Sequence, residues 1–320
     1  GMKRYLTTQL LLLLMVYATA QPLPRRAVEP LLQTIRVQTD PYNRSCPYYN
    51  YGDSISSEPC YVGCVATALE QLLSYYRYPQ CLQDSIEGWK TENYTIPTVQ
   101  PGTTINWDDV ADLSLWCGMI VKMKYGPTSS AASMWKAEEP LKRVFGYKTV
   151  RILDRSMYTF DAWHRILQNE LLAGRPVAYV GYTNMMNGHA FNIDGMNEEG
   201  LYHCNWGEGE PPHNGYFSLE YLNKLQPHWD ETDWGRMLGW NANEYMLVLH
   251  PDSITDFLEL DTLQDFANAV KVDDITFQRT ITNRDYVLTE VKLTNTTQDT
   301  LFHTFEIMNI SSRLIPASNT

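Results

Sequence analysis

Three residues of this chain have the types and the spacing of a nucleophilic catalytic set. Cys64 opens a stretch with helical periodicity, His189 opens a strand-like run, and Asn205 lies in the run that returns from it. A thiolate attacks a carbonyl carbon, an imidazole takes up and returns the proton, and an amide oxygen fixes the orientation of the ring. Together these residue types favour the hydrolysis of peptide bonds by a cysteine nucleophile.

Cys64 is predicted to lie in the first turn of a buried helix. Gly63 allows a backbone turn that a side chain would obstruct, and the positive end of the helix dipole favours the thiolate. A thiol flanked by small residues is more often an inert core residue, so this helix alone does not establish a nucleophile. The predicted buried face consists of Val65, Ala68, Leu69, Leu72, Leu73 and Tyr76.

His189 and Asn205 are predicted to meet at one end of a β-hairpin. Each lies in a short strand-like run, and a polar turn containing glycine separates the two runs. A hairpin centred between Asn197 and Glu198 pairs His189 with Trp206 and leaves Asn205 one position away. The indole of Trp206 would then cover the bond between the histidine and the amide from water and strengthen it.

The spacing along the chain supports this combination. Cys64 and His189 are 125 residues apart (189 − 64), close to the roughly 130–150 residues of papain-like chains. A helix-start cysteine together with a Gly-His hairpin that returns through Asn-Trp-Gly is more specific than either part alone. The histidines that compete for the role of base are His164, His203, His213, His228, His250 and His303.

Helical patterns come before strand-like patterns along the chain, which indicates an α+β domain with helices packed on one side of an antiparallel sheet. Helices are predicted from Cys64 to about Tyr76, over 107–125, up to Phe145 and over 160–172. Strands are predicted over 176–182, 189–194, 201–206, 215–219 and 244–249.

A second, smaller β segment is predicted after a boundary at residues 250–252. Three runs beyond it, 269–277, 286–293 and 301–307, alternate apolar and polar residues between polar turns. These runs favour a small β domain or a partial β-sandwich. The predicted organisation is a signal peptide at 1–20, the main α+β domain at 21–252 and the C-terminal β segment at 253–320.

The first twenty residues have the pattern of a secretory signal peptide. A basic region at 3–4 precedes a short apolar core at 10–16, and a small-x-small cleavage site at 18–20 places the mature start at Gln21. Gly1 is read as an artificial addition. The apolar core is too short to span a bilayer, and the cleavage point has no cysteine to take a lipid. The expected location is therefore secreted or periplasmic, without a membrane span.

Composition excludes one class of partner. The formal net charge is −12, with 44% apolar and 19% charged residues. Nucleic-acid binding needs a basic face, so a nucleic-acid partner is not expected. Polypeptides are the expected substrates.

The six cysteines match no zinc-binding pattern, and neither a metal nor a cofactor is predicted. The nearest cluster, His203 and Cys204 with His213, is weak because adjacent residues of a strand point to opposite faces. Export permits disulfides, and the pairs Cys46–Cys60 and Cys81–Cys117 are open alternatives because spacing does not determine connectivity.

Beyond these local arguments, the motifs resemble the streptopain-like cysteine proteases, in the family's order and across about residues 28–250. The resemblance implies a papain-like fold and endopeptidase activity, with Cys64 as nucleophile and His189 as its base. Asn205 and Trp206 fall on the Asn-Trp pair of the family. The matching stretches are Pro41-Tyr42-Asn43, Gly63-Cys64-Val65-Ala66-Thr67-Ala68, Tyr76 to Pro79, Tyr125-Gly126-Pro127, Phe145-Gly146-Tyr147, Gly188-His189-Ala190-Phe191 with Ile193-Asp194-Gly195, and Tyr202-His203 with Asn205-Trp206-Gly207.

Four further positions are assigned to the substrate cleft through the resemblance: Ser129, Gly188, Val180 and Glu208. Two of them depart from the family. Val180 stands where streptopain has a glutamine, and Glu208 replaces the second tryptophan of Asn-Trp-Gly-Trp-Gly. The carboxylate of Glu208 either raises the pKa of His189 and favours a thiolate–imidazolium pair, or points into solvent.

The resemblance also bears on regulation. An insertion follows Glu208 at 210–213, and only 21–26 separate the predicted cleavage site from the matching region. Family zymogens carry a sizeable inhibitory propeptide, so a separate protein inhibitor, or none, is expected here.

Two other functions share these residues. One is a binding module on a protease fold that has lost its activity, with Glu208 and the insertion closing the cleft. The other is a Cys-His acyltransferase of the transglutaminase type, which lacks the motif match.

Overall fold

The computed structural model describes residues 26–183, 187–209, 214–223, 239–259, 270–280 and 286–295, the last two ranges as backbone only. The helices are α1 Cys64–Tyr76, α2 Ala111–Ile120, α3 Glu138–Arg143 and α4 Phe160–Leu172. None of the helices within these ranges is long and apolar enough to cross a membrane. The strands are β1 Tyr48–Asn50, β2 Ile55–Pro59, β3 Trp89–Lys90, β4 Thr95–Ile96, β5 Thr149–Asp154, β6 Val177–Tyr182, β7 Gly188–Met196, β8 Tyr202–Asn205, β9 Gly215–Phe217, β10 Ala242–His250, β11 Val270–Thr280 and β12 Tyr286–Asn295.

One six-stranded sheet organises the main domain, in the order β5-β10-β6-β7-β8-β9, and every neighbouring pair is antiparallel. The pairs β1-β2 and β3-β4 form separate small sheets. Helices precede most of this sheet along the chain, so the α+β prediction is confirmed.

The helices lie on both faces of the large sheet, which corrects the expectation that they lie on one. Ala178 and Val180 of β6 share a core with α1 and α2, whereas Val177 and Tyr179 share a core with α4. Strands buried on both faces read as continuous apolar runs rather than alternating ones, as β6 and β10 do. Cys64 on α1 therefore lies on one face of the sheet, and α4 packs against the opposite face.

The predicted helix over 160–172 is confirmed, because the sequence specifies both of its ends. The side chain of Thr159 accepts a hydrogen bond from the Ala162 N–H at 3.2 Å and caps the first turn. Gly174, just beyond the last turn, has φ +72°, which suits glycine.

The predicted helix over 107–125 is shorter in the structure, at Ala111–Ile120. The Asn106 side chain accepts a hydrogen bond from the Asp108 N–H at 3.1 Å, and this turn delays the start of the helix. Lys122 has φ +53°, a left-handed conformation that ends it. The helix predicted to run up to Phe145 is the short α3.

Two of the three strands predicted for the C-terminal segment are present as β11 and β12, which pair with each other in antiparallel fashion. The third, at 301–307, lies outside the described residues, as does the predicted signal peptide at 1–20.

Residues 253–259, just beyond the predicted domain boundary, bind to the main domain. Asp256 Oδ1 lies 3.0 Å from Arg175 Nη1, and the Ile254 N–H donates to Thr149 Oγ1 at 3.1 Å. The first residues of the predicted C-terminal segment are thus attached to β5 and to the end of α4. The boundary itself stays a prediction.

Candidate active site

Cys64 is the first residue of α1, and its backbone approach is tightly packed. Gly63 has φ +88°, and a Cβ atom there would lie 2.7 Å from Met123 Cε and 3.2 Å from Ser130 Cβ. The Gly63 carbonyl already accepts a helical hydrogen bond, from the Thr67 N–H at 3.0 Å. Only glycine fits this turn, so the chain enters the helix with the Cys64 side chain in a fixed direction.

The Cys64 thiol is half-buried and has a raised pKa. Burial is the largest cause and raises the pKa, while backbone hydrogen bonds from Ala190, Val65 and Cys64 itself lower it. The negative charge of Glu208 adds a smaller increase. The backbone N–H groups at the helix start therefore lower the pKa of the thiol, as expected, but the net shift is upward. Burial outweighs their effect, and a thiolate at this position needs a cationic partner.

His189 is the second residue of β7, and its ring is enclosed. The side chain is 8% exposed, and Nε2 lies 3.1 Å from the backbone oxygen of Trp206. The ring stacks on the Trp206 indole at 5.8 Å between centroids, with Phe191 at 6.2 Å and Trp240 at 5.7 Å. A carbonyl oxygen can only accept a hydrogen bond, so this contact requires the proton on Nε2 and leaves Nδ1 as the basic nitrogen.

Cys64 and His189 meet at the same point of the sheet. The backbone N–H of Ala190, the residue that follows His189, lies close enough to the Cys64 sulfur to lower the pKa of the thiol. α1 also packs along β7, where Asn192 Nδ2 donates to the Ala68 carbonyl at 3.2 Å. The structure thus brings together the cysteine and histidine that the sequence places 125 residues apart (189 − 64).

The predicted register of the hairpin is wrong. Asn205 pairs with Asn192, not with a residue next to His189. The cause is a later turn, in which the Asn197 N–H donates to the Leu201 carbonyl at 2.9 Å and Met196 pairs with Tyr202; the register shift between Ile193 and Gly195 reverses one residue of this displacement. These features move β8 relative to β7, so the segment that follows β8 lies beside His189.

The Asn205 side chain does not bond to the His189 ring in this structure. Its Nδ2 donates to the Thr34 carbonyl at 3.0 Å, and its Oδ1 accepts from the Gly207 N–H at 3.2 Å. Asn205 therefore attaches the N-terminal segment to the turn that carries Trp206. Its catalytic role stays a prediction.

Trp206 is fully buried and supports the histidine in two ways, through its carbonyl and through its indole. The backbone N–H of Trp206 donates to Asn214 Oδ1 at 2.9 Å, and this bond connects the turn to the start of β9. The indole lies against the ring as predicted, but the histidine–amide bond that it was predicted to cover is not present in this structure.

Glu208 lies beside the histidine. Its Oε1 is 3.8 Å from His189 Nε2, and its side chain is 29% exposed. Of the two alternatives drawn from the sequence, a carboxylate facing the ring agrees with this position and a solvent-directed one does not.

The remaining predicted substrate residues differ in exposure. Ser129 and Gly188 are exposed, in the turn beside the Cys64 approach and at the start of β7. Val180 is 3% exposed and pairs with Ala190. Its side chain packs in the core with α1, so it supports the N–H that contacts the thiol and offers little surface to a substrate.

Two contacts of the site have no signal in the sequence. The carbonyl of Thr34 binds Asn205 through the backbone, which any residue type provides. Trp240 reaches the His189 ring from a segment that follows the hairpin and shows no periodic pattern.

No cluster of three or more metal-binding side chains is found in the part of the chain that the structure describes. His203, part of the weak cluster considered from the sequence, instead places its Nδ1 2.6 Å from Asp194 Oδ1. Each of the six cysteines is a free thiol.

Comparisons with known proteins agree with this geometry. The profile of the Peptidase C10 family matches residues 37–217, more than half of the chain. Streptopain from Streptococcus pyogenes is 29% identical over a 244-residue alignment covering 65% of this chain and 59% of streptopain. Thiol protease/hemagglutinin PrtT from Porphyromonas gingivalis is 30% identical over 223 residues, covering 63% of this chain and 25% of PrtT. The chain therefore spans less than two thirds of the length of both relatives.

A solved structure extends the similarity to three dimensions. Active wild-type interpain A, a cysteine protease of Prevotella intermedia, is 30% identical and superposes with a TM-score of 0.58. The match covers 69% of this chain and 94% of that one. The predicted streptopain-like family and papain-like fold are confirmed. The chain belongs to the Peptidase C10 family of cysteine-type peptidases.

Proposed function

We propose that this protein is a secreted endopeptidase in which Cys64 is the nucleophile and His189 the general base. The observation that carries the proposal is the His189 ring, whose Nε2 lies 3.1 Å from the Trp206 carbonyl oxygen, next to Ala190, whose backbone N–H acts on the Cys64 sulfur. A thiol close to an imidazole of fixed tautomer supports the assignment of Cys64 as nucleophile and His189 as base.

The reaction then follows from the roles of these groups. His189 Nδ1 takes the thiol proton, and the thiolate attacks the carbonyl carbon of a peptide bond. Backbone N–H groups at the start of α1 stabilise the oxyanion, and the imidazolium gives its proton to the leaving amine. Water, deprotonated by His189, then releases the acyl group as a carboxylic acid. Because burial raises the pKa of the thiol, the imidazolium supplies the positive charge that the thiolate needs.

Polypeptides are the substrates, as expected for a member of this family. Export rests on the signal pattern at 1–20. The formal net charge of −12 argues against nucleic acid as a partner.

Labelling with a thiol-directed peptide epoxide tests the proposal. The folded protein is expected to gain the mass of one epoxide at Cys64 and to lose casein hydrolysis in parallel. Cys64→Ala abolishes both, whereas Cys81→Ser, a change at a free, half-buried thiol outside the site, leaves both in place. If Cys64 remains unmodified in the folded protein while the denatured protein reacts, the proposal fails.

The raised pKa of the Cys64 thiol, to which the Glu208 carboxylate contributes, disfavours the thiolate. This observation favours a second candidate, a binding module on an inactive protease fold. Such a module would retain its fold and its partner after Cys64→Ala and would hydrolyse no peptide in the presence of reductant.

A further inference from the structure

Two oxygens face Nε2 of His189. The backbone oxygen of Trp206 is 3.1 Å away, and Glu208 Oε1 is 3.8 Å away. The carbonyl fixes the proton on Nε2, and the carboxylate lies at ion-pair distance from the same nitrogen. When the ring is protonated at both nitrogens, its positive charge therefore faces a negative one.

The amide that is predicted to orient the ring is bound elsewhere. Asn205 donates through Nδ2 to the Thr34 carbonyl and accepts through Oδ1 from the Gly207 N–H. Both ends of the amide are therefore used in holding the backbone around Trp206.

The turn that carries Glu208 is fixed on both sides. Gly207 and Gly209 have φ +67° and +90°, conformations that favour glycine. The Gly209 N–H donates to the Arg36 carbonyl at 2.7 Å. A Cβ atom on Gly207 would lie 2.9 Å from Thr67 Cγ2, so the turn packs directly on α1. The backbone thus holds the Glu208 carboxylate toward the histidine.

The Glu208 carboxylate, on the turn after β8, lies at ion-pair distance from Nε2 of the ring, and the Cys64 thiol at the start of α1 lies beside Ala190, the residue that follows His189. The other rings in contact, Phe191, Trp206 and Trp240, do not ionise near neutral pH. Glu208 acts on both partners: it stabilises the imidazolium and disfavours the thiolate.

We infer that Glu208 is a positioning residue, whose carboxylate, together with the Trp206 carbonyl, orients His189 and stabilises its imidazolium. This inference rests on the proposed function of Cys64 and His189. Glu208 takes the part predicted for the amide of Asn205, and Asn205 holds the turn instead. No proton passes to Glu208: the thiol proton goes to Nδ1 and then to the leaving amine, while the Nε2 proton stays in place.

The pH dependence of Cys64 alkylation by iodoacetamide and of kcat/KM for a peptide substrate tests the inference. Glu208→Gln removes the charge and keeps the shape. The thiolate–imidazolium pair is populated in the pH range that lies between the pKa of the thiol and the pKa of the imidazolium. Because Glu208 raises both, its loss is expected to move both limbs of each profile to lower pH, by about 0.5–1 unit for a partly exposed carboxylate.

Matched variants separate this role from a structural one. Glu198→Gln makes the same charge change at an exposed position in the turn of the same hairpin and is expected to leave both profiles in place. Glu208→Asp keeps the charge and is expected to recover most of the shift. Asn205→Ala is expected to leave the midpoints unmoved even where it lowers the rate.

The outcomes distinguish the two proposals. Alkylation does not require turnover, so a wild-type Cys64 that reacts no faster than an ordinary thiol at any pH contradicts the proposed function itself. A normal wild-type profile with Glu208→Gln unshifted overturns the inference alone. A shift in Asn205→Ala without one in Glu208→Gln returns the orienting role to Asn205.

Discussion

Two histidine–carboxylate pairs occupy opposite ends of the β7–β8 hairpin, and they differ in kind. At the end near the turn, His203 Nδ1 lies 2.6 Å from Asp194 Oδ1, and the Asp194 side chain is fully buried. At the other end, His189 Nε2 lies 3.8 Å from Glu208 Oε1, and the Glu208 side chain is 29% exposed. The same residue types form one tight pair and one loose pair.

The surroundings of the tight pair are those of a structural contact. Asp194 Oδ2 also accepts the Leu32 N–H at 2.9 Å, and the Val28 N–H donates to the Met196 carbonyl at 2.7 Å nearby. The pair therefore fastens the N-terminal segment to the edge of the bulged strand. Both oxygens of the carboxylate are used, and nothing is left for a substrate.

The loose pair leaves chemistry available. His189 keeps Nδ1 as a base because Nε2 is bound to the Trp206 carbonyl, and Glu208 influences the charge of the ring without a short hydrogen bond. A buried, fully bonded pair stabilises one geometry, whereas a catalytic base must change its charge in every cycle. The contrast predicts that one pair carries activity and the other stability.

The largest expected effect is on turnover. His189→Ala should lower kcat/KM by on the order of 10⁴-fold, because the thiol loses its base and the thiolate its cation. His203→Ala should leave kcat/KM per folded molecule within about twofold. Peptide hydrolysis measured on both variants, with the folded fraction taken from circular dichroism, checks the contrast. A similar loss of activity in both would remove the distinction between the pairs.

For the free energy of unfolding, the larger loss is expected from the pair of Asp194 and His203 and the smaller loss from the pair of Glu208 and His189. Asp194→Ala leaves the Leu32 N–H and the His203 ring without their buried acceptor and should cost about 2–4 kcal/mol. Glu208→Ala, at a partly exposed position, should cost less than about 0.5 kcal/mol. Urea unfolding of both variants at pH 7 gives the two values. Equal costs would show that Glu208 is as structural as Asp194.

The sequence predicted the elements around these pairs better than the contacts between them. α4 was predictable at both ends because Thr159 and Gly174 carry local signals, and the start of α1 followed from Gly63. The meeting of Cys64 with His189 followed from the family motifs and from placing each at the start of an element. Such features depend on residues close together in the chain.

The register and the amide contact were not predictable for a physical reason. The turn is centred on Glu199 and not between Asn197 and Glu198, and the bulge near Asp194 changes the pairing again. Neither feature disturbs the alternation of apolar residues, so the pattern does not reveal them. The partner of Asn205 is a backbone carbonyl 171 residues earlier, which leaves no mark on the sequence. Glu208 was visible as a departure from the family, but only its 3.8 Å distance from Nε2 gives it a role.

Asn205 lies on the same hairpin as the two pairs, and its side chain binds the N-terminal segment. Asn205→Ala leaves the Thr34 carbonyl and the Gly207 N–H unpaired and should cost about 1–3 kcal/mol in the free energy of unfolding. Amide exchange at Gly207 should accelerate by about tenfold for each 1.4 kcal/mol of local destabilisation. Asn197→Ala, which removes a half-buried side-chain acceptor in the turn, should cost about 0.5–1 kcal/mol. Equal costs, with unchanged exchange at Gly207, would contradict a role for Asn205 in holding the turn.

A third carboxylate, Glu244 on β10, has no histidine partner among the described residues, and its Oε1 accepts the Tyr179 hydroxyl at 2.6 Å. Burial raises its pKa to about 7, while the Tyr179 hydroxyl and Arg155 oppose the increase. The folded pKa lies above the unfolded value, so ionisation disfavours the fold. The stability contributed by the protonated form is complete below about pH 4.5 and is lost as pH rises toward 7.

Glu244→Gln removes this ionisation and keeps an acceptor for the Tyr179 hydroxyl. The variant should match the wild type near pH 4.5 and exceed it by about 1–2 kcal/mol at pH 8, a value reduced for the partial exposure of the carboxyl group. Thermal unfolding at the two pH values gives the comparison, with Glu198→Gln as an exposed control. A difference that is the same at both pH values would mean that Glu244 ionises in its ordinary range. It would also mean that Glu244 stays charged in the folded protein without a histidine beside it, unlike the carboxylates of the two pairs.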